Sequence, residues 1–159
     1  MKTNKALGNE FENWLCEYGH SLGFFAHKLT QSAAGQPFDL VFARNNIPIF
    51  VDAKNCTGVR FIFSRVESNQ RNAFRMLNNL GCPHTYFAFR FLVHDQYEYG
   101  YLSLKEIEEL EKKMAGVSYN LCHPLEEMFG NVIIEGMSKR WLFQINLSYR
   151  LPINAITKR

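Results

Sequence analysis

Cysteine is scarce in this sequence, and its spacing excludes two classes of small protein. The 159 residues include four cysteines, and no two of them form a Cys-x-x-Cys pair. A disulfide-stapled scaffold or a closed zinc site needs clustered cysteines. Cys82 lies near His84 and Cys122 lies beside His123, but this spacing matches no closed zinc site. We therefore expect reduced, partly buried thiols, with zinc as the weaker alternative.

Long apolar runs and an apolar leader are also missing. No stretch approaches the roughly 20 apolar residues of a membrane-spanning helix, and the first residues, MKTNKALGNEFEN, lack the apolar run of a signal peptide. We therefore expect a soluble, cytoplasmic protein with no membrane partner. Because 47% of the residues are hydrophobic and 14% are aromatic, the chain can fill one core, and we expect a single domain over 1–159.

The net charge is small, but the charged residues are distributed unevenly along the chain. The formal charge is +3, which permits a polyanionic partner without requiring one. Acids cluster in EIEELE at 106–111, so the remaining surface is more basic than the sum indicates. Four arginines that follow the VDAK segment at 51–54 are candidates for phosphate binding. They are Arg60, Arg65, Arg71 and Arg75.

Apolar residues at spacings of three and four predict the helices. The predicted helices are 5–22, 67–80 and 104–114. Gly23 and Gly81 are typical residues for the ends of the first two. Ser103 and Glu106 have the spacing of a capping box at the start of the third.

Alternating and β-prone stretches predict the strands. The predicted strands are 24–29, 38–43, 47–54, 85–93 and 96–102, with weaker short strands at 131–135 and 140–146. Asn45 and Asn46 supply the turn of a hairpin between the second and third strands. The order of helix, three strands, helix and strand predicts a mixed α/β domain. Its core is expected at about 5–115, with a C-terminal extension at about 116–159.

Charged residues interrupt the hairpin PFDLVFARNNIPIFVDAKN (37–55) where a buried strand should be apolar. Side chains of a strand alternate between its faces, so Asp52 and Lys54 share one face. Asp39 lies on the paired strand, and an antiparallel hairpin brings such positions within a few ångströms. Two buried carboxylates repel unless a cation compensates. The pattern favours a site for Mg²⁺ or Mn²⁺ that hydrolyses phosphodiesters, with Lys54 steadying the water or the phosphate charge.

A structural interpretation competes with this one. Asp39 could cap a turn, and Asp52 with Lys54 could form a pair on a solvated strand edge. The flanking residues disfavour that alternative, because IFV before Asp52 and LVFA after Asp39 are typical of buried strands.

These residues resemble the PD-(D/E)xK nuclease superfamily, and within it the Holliday-junction resolvases of the archaeal and RecU types. The family opens its first helix with G-x-x-x-E, matched here by Gly8 and Glu12. Its small-residue loop carries a serine, matched by Ser32 in QSAAGQPFD. Its second helix bears a glutamine, matched by Gln70. Its acid, acid-x-lysine core is matched by Asp39, Asp52 and Lys54. Asp52 stands where resolvases usually have glutamate.

The resemblance implies a restriction-endonuclease-like α/β fold: a helix, a three-stranded β-meander, a helix and a strand. It implies a Mg²⁺-dependent endonuclease, with Mn²⁺ as a substitute, that acts as a homodimer on four-way DNA junctions in recombination or repair. Metal ligands would be Asp39, Asp52 and Glu12. Lys54, Gln70 and Ser32 would complete the catalytic site, and Ser32 would also contact DNA.

Several alternatives remain open at the level of sequence. Glu10 and Glu12 both lie off the apolar stripe of the first helix, so periodicity does not choose between them. A restriction- or repair-type nuclease of the same fold would act on other DNA. Replacement of glutamate by Asp52 also leaves open a catalytically silent nucleic-acid-binding protein. A metal-free interaction domain would bind no DNA.

Overall fold

The computed structural model describes residues 2–30 and 35–149, apart from the side chains of 140–149. The helices in this part of the chain are α1 (Asn4–Ser21), α2 (Ser68–Asn79), α3 (Leu104–Glu111) and α4 (Leu125–Tyr149). The strands are β1 (Phe25–Lys28), β2 (Leu40–Arg44), β3 (Ile47–Asn55), β4 (Arg60–Ile62), β5 (Thr85–Val93), β6 (Gln96–Ser103), β7 (Gly116–Ser118) and β8 (His123–Pro124).

Six of these strands form one mixed sheet in the order β1-β2-β3-β5-β6-β8. The first three strands are antiparallel neighbours, as the sequence predicted for the meander. β5 then pairs parallel to β3 after the crossover through α2. β4 and β7 form a separate two-stranded sheet. The predicted order of helix, three strands, helix and strand is therefore confirmed.

The β2–β3 hairpin turns at the two asparagines, as predicted. Asn45 and Asn46 have φ values of 54° and 64°. Positive φ at both central residues is the requirement of a type I′ turn, and asparagine tolerates it better than most residues. The turn sets the register, with Leu40 opposite Val51 and Phe42 opposite Ile49.

The sheet has an apolar cluster on each face. One cluster lies beneath α1 and α4 and includes Phe11, Leu15, Phe42 and Val51. The other lies beneath α2 and α3 and includes Phe74, Phe87, Phe89 and Ile107. β3 contributes to both clusters because its side chains alternate between the faces. Its two faces therefore belong to different layers.

Predicted helix boundaries agree with the structure to within one residue, except that α3 ends at Glu111 and not at 114. Leu80 ends α2 and is followed by Gly81 with φ of 88°, the left-handed conformation expected after a helix. The capping box of Ser103 and Glu106 begins α3. The four cysteines are free thiols; Cys56 is buried and the other three are partly buried.

The short strands predicted at 131–135 and 140–146 are wrong, because both segments belong to α4. Val132, Ile133 and Ile134 have high β-propensity, but tertiary packing overrides it. The buried residues Leu125, Met128, Phe129 and Val132 recur at spacings of three, one and three, which is the period of a helix. The C-terminal extension thus packs into the same core cluster as α1. In the part of the chain that the structure describes, no helix has the length and apolar content needed to cross a membrane.

Candidate active site

Asp39 immediately precedes β2, and Asp52 lies on the neighbouring strand β3. Leu40 pairs with Val51 in the β2–β3 register, so one further step places the two aspartates across from each other. The Asp39 backbone N–H donates to the Val51 carbonyl oxygen at 3.0 Å. Asp39 Oδ2 accepts a hydrogen bond of 2.8 Å from the backbone N–H of Ala53. Residues opposed in this way have side chains a few ångströms apart on one face of the sheet.

Asp52 is the most deeply buried acid of this site, with 1% of its surface exposed. Oδ1 accepts a hydrogen bond of 2.8 Å from Gln70 Nε2. Oδ2 lies 2.7 Å from Lys54 Nζ, yet it has no hydrogen bond of acceptable geometry. Burial raises the pKa of Asp52 to about 7, and the charge of Asp39 adds to the rise, while Lys54 opposes it. The site therefore holds a carboxylate whose charge is incompletely compensated.

Lys54 lies on the same face of β3 as Asp52, as the alternation predicted. Its side chain is 11% exposed, and Nζ donates a hydrogen bond of 2.9 Å to Gln70 Oε1. Ala53 packs instead against the cluster beneath α1. The ammonium group is thus held beside Asp52 by the strand and by Gln70.

Gln70 is placed by the start of α2. It occupies the third helical position and completes a capping box with Glu67. Its Oε1 accepts a hydrogen bond of 3.0 Å from the Glu67 backbone N–H as well as the one from Lys54. The same amide therefore fixes the helix terminus and both charged groups of β3.

The structure distinguishes the two glutamates of α1. Glu12 forms an ion pair of 2.7 Å with Lys28, and its charge helps to raise the pKa of Asp39, although burial is the larger cause of that rise. Glu10 contacts Lys2 and Arg90 instead. Glu12 is therefore the acid of α1 whose charge acts on Asp39.

The four candidate arginines have different surroundings. Arg71 makes two hydrogen bonds to the Glu111 carboxylate, at 2.8 and 2.6 Å, and Arg75 pairs with Glu108. Arg60 is exposed on β4. Arg65 is exposed and donates to the Asn55 carbonyl oxygen at 3.3 Å, next to Lys54 in the chain. Ser32 lies outside the described residues.

Sequence reasoning missed a buried arginine under α1. Arg90 is 2% exposed and donates to Asn55 Oδ1 at 2.6 Å, the Leu7 carbonyl oxygen at 2.9 Å and Glu10 Oε1 at 3.0 Å. These contacts tie the first turns of α1 to the end of β3. The available signal was a single charge inside the apolar strand YFAFRFLV, the same kind of interruption that pointed to Asp52.

The carboxylate pair fits a hard divalent cation. Asp52 Oδ2 is buried, has Lys54 Nζ at 2.7 Å and accepts no hydrogen bond of acceptable geometry, and the charge of Asp39 lies close enough to raise the pKa of Asp52. Among the residues that the structure describes, no three His, Cys, Asp or Glu side chains form a group that could hold a metal ion. Mg²⁺ is usually held by one or two carboxylates together with waters and substrate phosphate oxygens, so two acids suffice for it.

Comparisons with known proteins give the fold but no sequence family. No family model matches the chain, and no curated protein does. A solved structure, that of Archaeoglobus fulgidus Hjc, a Holliday junction resolvase from an archaeal hyperthermophile, matches with a TM-score of 0.58 and 16% sequence identity. The match covers 77% of this chain and 98% of that one. The protein therefore has the Hjc-like restriction-endonuclease fold that the resemblance implied.

Proposed function

We propose that this protein is a Mg²⁺-dependent DNA endonuclease and that its substrate is a four-way junction. The observation that carries the proposal is the buried Asp52 carboxylate, which faces Asp39, contacts Lys54 and retains one oxygen without a hydrogen bond. Burial of two acids on one sheet face is unfavourable unless a cation joins them. The likeness of the fold to a Holliday junction resolvase supports the choice of substrate.

Asp39 and Asp52 would hold the metal ion, and Glu12 is the third acid that we assign to the site. When bound, Mg²⁺ would polarise a phosphate oxygen and lower the pKa of a bound water. Lys54 would stabilise the negative charge that develops on the phosphate, since its ammonium group is desolvated and held in place. Gln70 would orient Asp52 and Lys54, because one amide contacts both.

Cleavage of a junction requires cuts in two strands, so we further propose that the protein acts as a homodimer with one site in each subunit. Mn²⁺ is expected to replace Mg²⁺, since both prefer oxygen ligands. Recognition would rest on the DNA backbone and its shape.

The test is cleavage of labelled DNA by the purified protein. A four-way junction and a linear duplex of matched sequence are incubated with Mg²⁺, Mn²⁺ or EDTA, beside an Asp52→Asn variant. We expect paired nicks in the junction, loss of cleavage in EDTA, and a rate at least about 100-fold lower for the variant, as for loss of a metal ligand. A Glu17→Gln variant, which alters an exposed acid of α1, is the matched control and should cut normally.

Each other outcome has a defined meaning. Equal cutting of the linear duplex would replace the junction with a restriction- or repair-type substrate. Binding of DNA without cleavage under any metal would identify a silent binding protein. Absence of both binding and cleavage would refute the proposal.

A further inference from the structure

A polar pocket of about 290 Å³ lies beside Lys54, between the first turns of α1 and the end of β3. We call it the Arg65 pocket. Its lining residues are Asn4, Gly8, Ala53, Lys54, Asn55, Thr57 and Arg65. Lys54 also contacts Asp52, so the pocket shares one residue with the candidate active site. Asn55 lies three residues beyond Asp52, about 10 Å along an extended strand.

The lining of the Arg65 pocket has the chemistry of an anion site. It includes Arg65 and Lys54 and no acidic residue, although the Lys54 ammonium is itself held by Asp52 and Gln70. Asn4, Asn55 and Thr57 add side chains that can donate hydrogen bonds. A neighbouring pocket on the other side of α1 differs because it contains an acid: Glu12 pairs there with Lys28, beside Lys5.

Two donors of the pocket are held in place by other contacts. Arg65 donates to the Asn55 carbonyl oxygen at 3.3 Å, and its guanidinium lies 5.1 Å from the centre of the Phe61 ring. Asn55 Oδ1 accepts a hydrogen bond of 2.6 Å from buried Arg90. The acceptor end of the Asn55 amide is thereby occupied, which leaves its N–H₂ end as the one available to a ligand.

Gly8 leaves space at the helix side of the pocket. A Cβ atom at this position would meet no heavy atom within 4 Å. Glycine in a helix interior costs up to about 1 kcal/mol relative to alanine, and no close approach within the protein explains its presence at position 8. A ligand that occupies the pocket would explain it.

We propose that the Arg65 pocket binds a backbone phosphate of the cleaved DNA strand, next to the phosphate that is cut. This inference rests on the proposed function and deepens it, because it assigns a second phosphate contact with a defined position. Arg65, Asn55 and Thr57 bind the anion, and Lys54 lies between it and the scissile phosphate. The four candidate arginines are thus separated: Arg65 acts in the site, Arg71 and Arg75 are engaged by acids of α3, and Arg60 is exposed on β4 outside the pocket.

The first experiment replaces single phosphates of the cleaved strand with uncharged methylphosphonates and measures single-turnover cleavage. At one position adjacent to the cut, we expect a rate about 10-fold lower with the wild-type protein. With Arg65→Gln, the same replacement should have less than about 2-fold effect, because the contact is already lost. Equal sensitivity of both proteins at every position would overturn the inference.

The second experiment measures DNA affinity against salt concentration in EDTA. Arg65→Gln and Gly8→Glu should each weaken binding, and Arg65→Gln should reduce the salt slope by about 0.9, as expected for one lost phosphate contact. The control is Lys112→Gln, which alters an exposed lysine paired with Glu109 at 2.8 Å on α3. An unchanged slope for Arg65→Gln would count against the pocket.

A third measurement separates this inference from the proposed function. Inorganic phosphate is titrated into ¹⁵N-labelled protein in EDTA, and amide shifts are followed by NMR. Shifts at Gly8, Asn55 and Thr57 that disappear in Arg65→Gln support the pocket even if no DNA is cut, in which case only the nuclease proposal fails. Normal cleavage of DNA without such shifts, and without a methylphosphonate effect, would refute the pocket alone.

Discussion

Gln70 donates a hydrogen bond of 2.8 Å from Nε2 to Oδ1 of Asp52, while its Oε1 accepts from Lys54. The same Oε1 accepts from the Glu67 backbone N–H in the capping box of α2. One side chain therefore couples the start of a helix to the two charged groups of β3. The contribution of this side chain to the site can be tested by substitution.

Replacement of Gln70 should separate its helix-capping role from its role in the site. Gln70→Glu keeps an acceptor for the capping box, but it removes the donor to Asp52 and adds a carboxylate beside it. We expect cleavage at least about 10-fold slower, with α2 retained. Gln70→Ala should lose both the cap and the link, at a cost of about 1–2 kcal/mol in the free energy of unfolding.

Cleavage rates and urea denaturation of both Gln70 variants provide the measurement. Asn72→Ala, which alters an exposed residue on the same helix, should change stability by less than about 0.5 kcal/mol. Full activity of Gln70→Glu would mean that the amide contributes only to the cap.

Removal of the Asp52 charge should stabilise the protein in the absence of metal. Burial raises the pKa of Asp52 to about 7 from an ordinary value of 3.8. Ionisation is therefore less favourable in the folded chain, and the wild-type protein loses stability as the pH rises from about 4 through 7. Asp52→Asn has no such loss and should melt about 3–8 °C higher at pH 8 in EDTA. The difference should vanish near pH 4.

Melting curves between pH 4 and pH 8 measure this effect. Glu17→Gln removes one negative charge from an exposed position of α1 and serves as the control for net charge. A lower melting temperature for Asp52→Asn at pH 8 would show that the ion pair with Lys54 outweighs the burial of the carboxylate.

Addition of Mg²⁺ should raise the melting temperature of the wild-type protein. An ion that binds only the folded chain stabilises it by about 2.7 kcal/mol at 100 times its dissociation constant. Asp39→Asn and Asp52→Asn should lose most of this rise, and Mn²⁺ should act in the same way. An equal rise in both variants would place the ion elsewhere on the protein.

The packing of α4 against the β2–β3 turn can be tested at two glycines. A Cβ atom at Gly136 would lie 2.6 Å from Asn45 Nδ2 and 2.9 Å from its Cβ. Gly136→Ala should therefore destabilise the protein by about 1–2 kcal/mol, despite the higher helix propensity of alanine. Asn45→Gly tolerates the positive φ of that position and should restore stability in the double variant.

Gly130 in the same helix provides the matched control. A Cβ atom there would meet nothing within 4 Å, so Gly130→Ala should stabilise the protein by about 0.5–1 kcal/mol. Urea denaturation of the four variants measures these differences. A neutral or stabilising Gly136→Ala would contradict the contact between α4 and the turn.

Local rules were sufficient where the structure depends on neighbouring residues. The asparagine turn, the end of α2 at Gly81 and the shared face of Asp52 and Lys54 follow from backbone conformation and from strand alternation. These features were predicted correctly because each depends on only a few residues that are neighbours in the chain. The capping box of α3 belongs to the same group.

Tertiary packing determined the conformation of 131–135, which residue spacing and β-propensity did not predict. The β-branched residues of 131–135 predicted a strand, but burial of Leu125, Met128, Phe129 and Val132 along one side selects a helix. Propensities differ by at most about 1 kcal/mol per residue, and a buried apolar face outweighs them.

The sequence by itself determined the hairpin, the order of its elements and the two acids with a lysine that interrupt it. Only the tertiary structure decided that Glu12 acts on Asp39 while Glu10 pairs with Arg90, and that Gln70 joins Asp52 to Lys54. Both outcomes depend on contacts between residues distant in the chain. Such contacts are fixed by how helices dock on the sheet, which no local pattern of residues specifies.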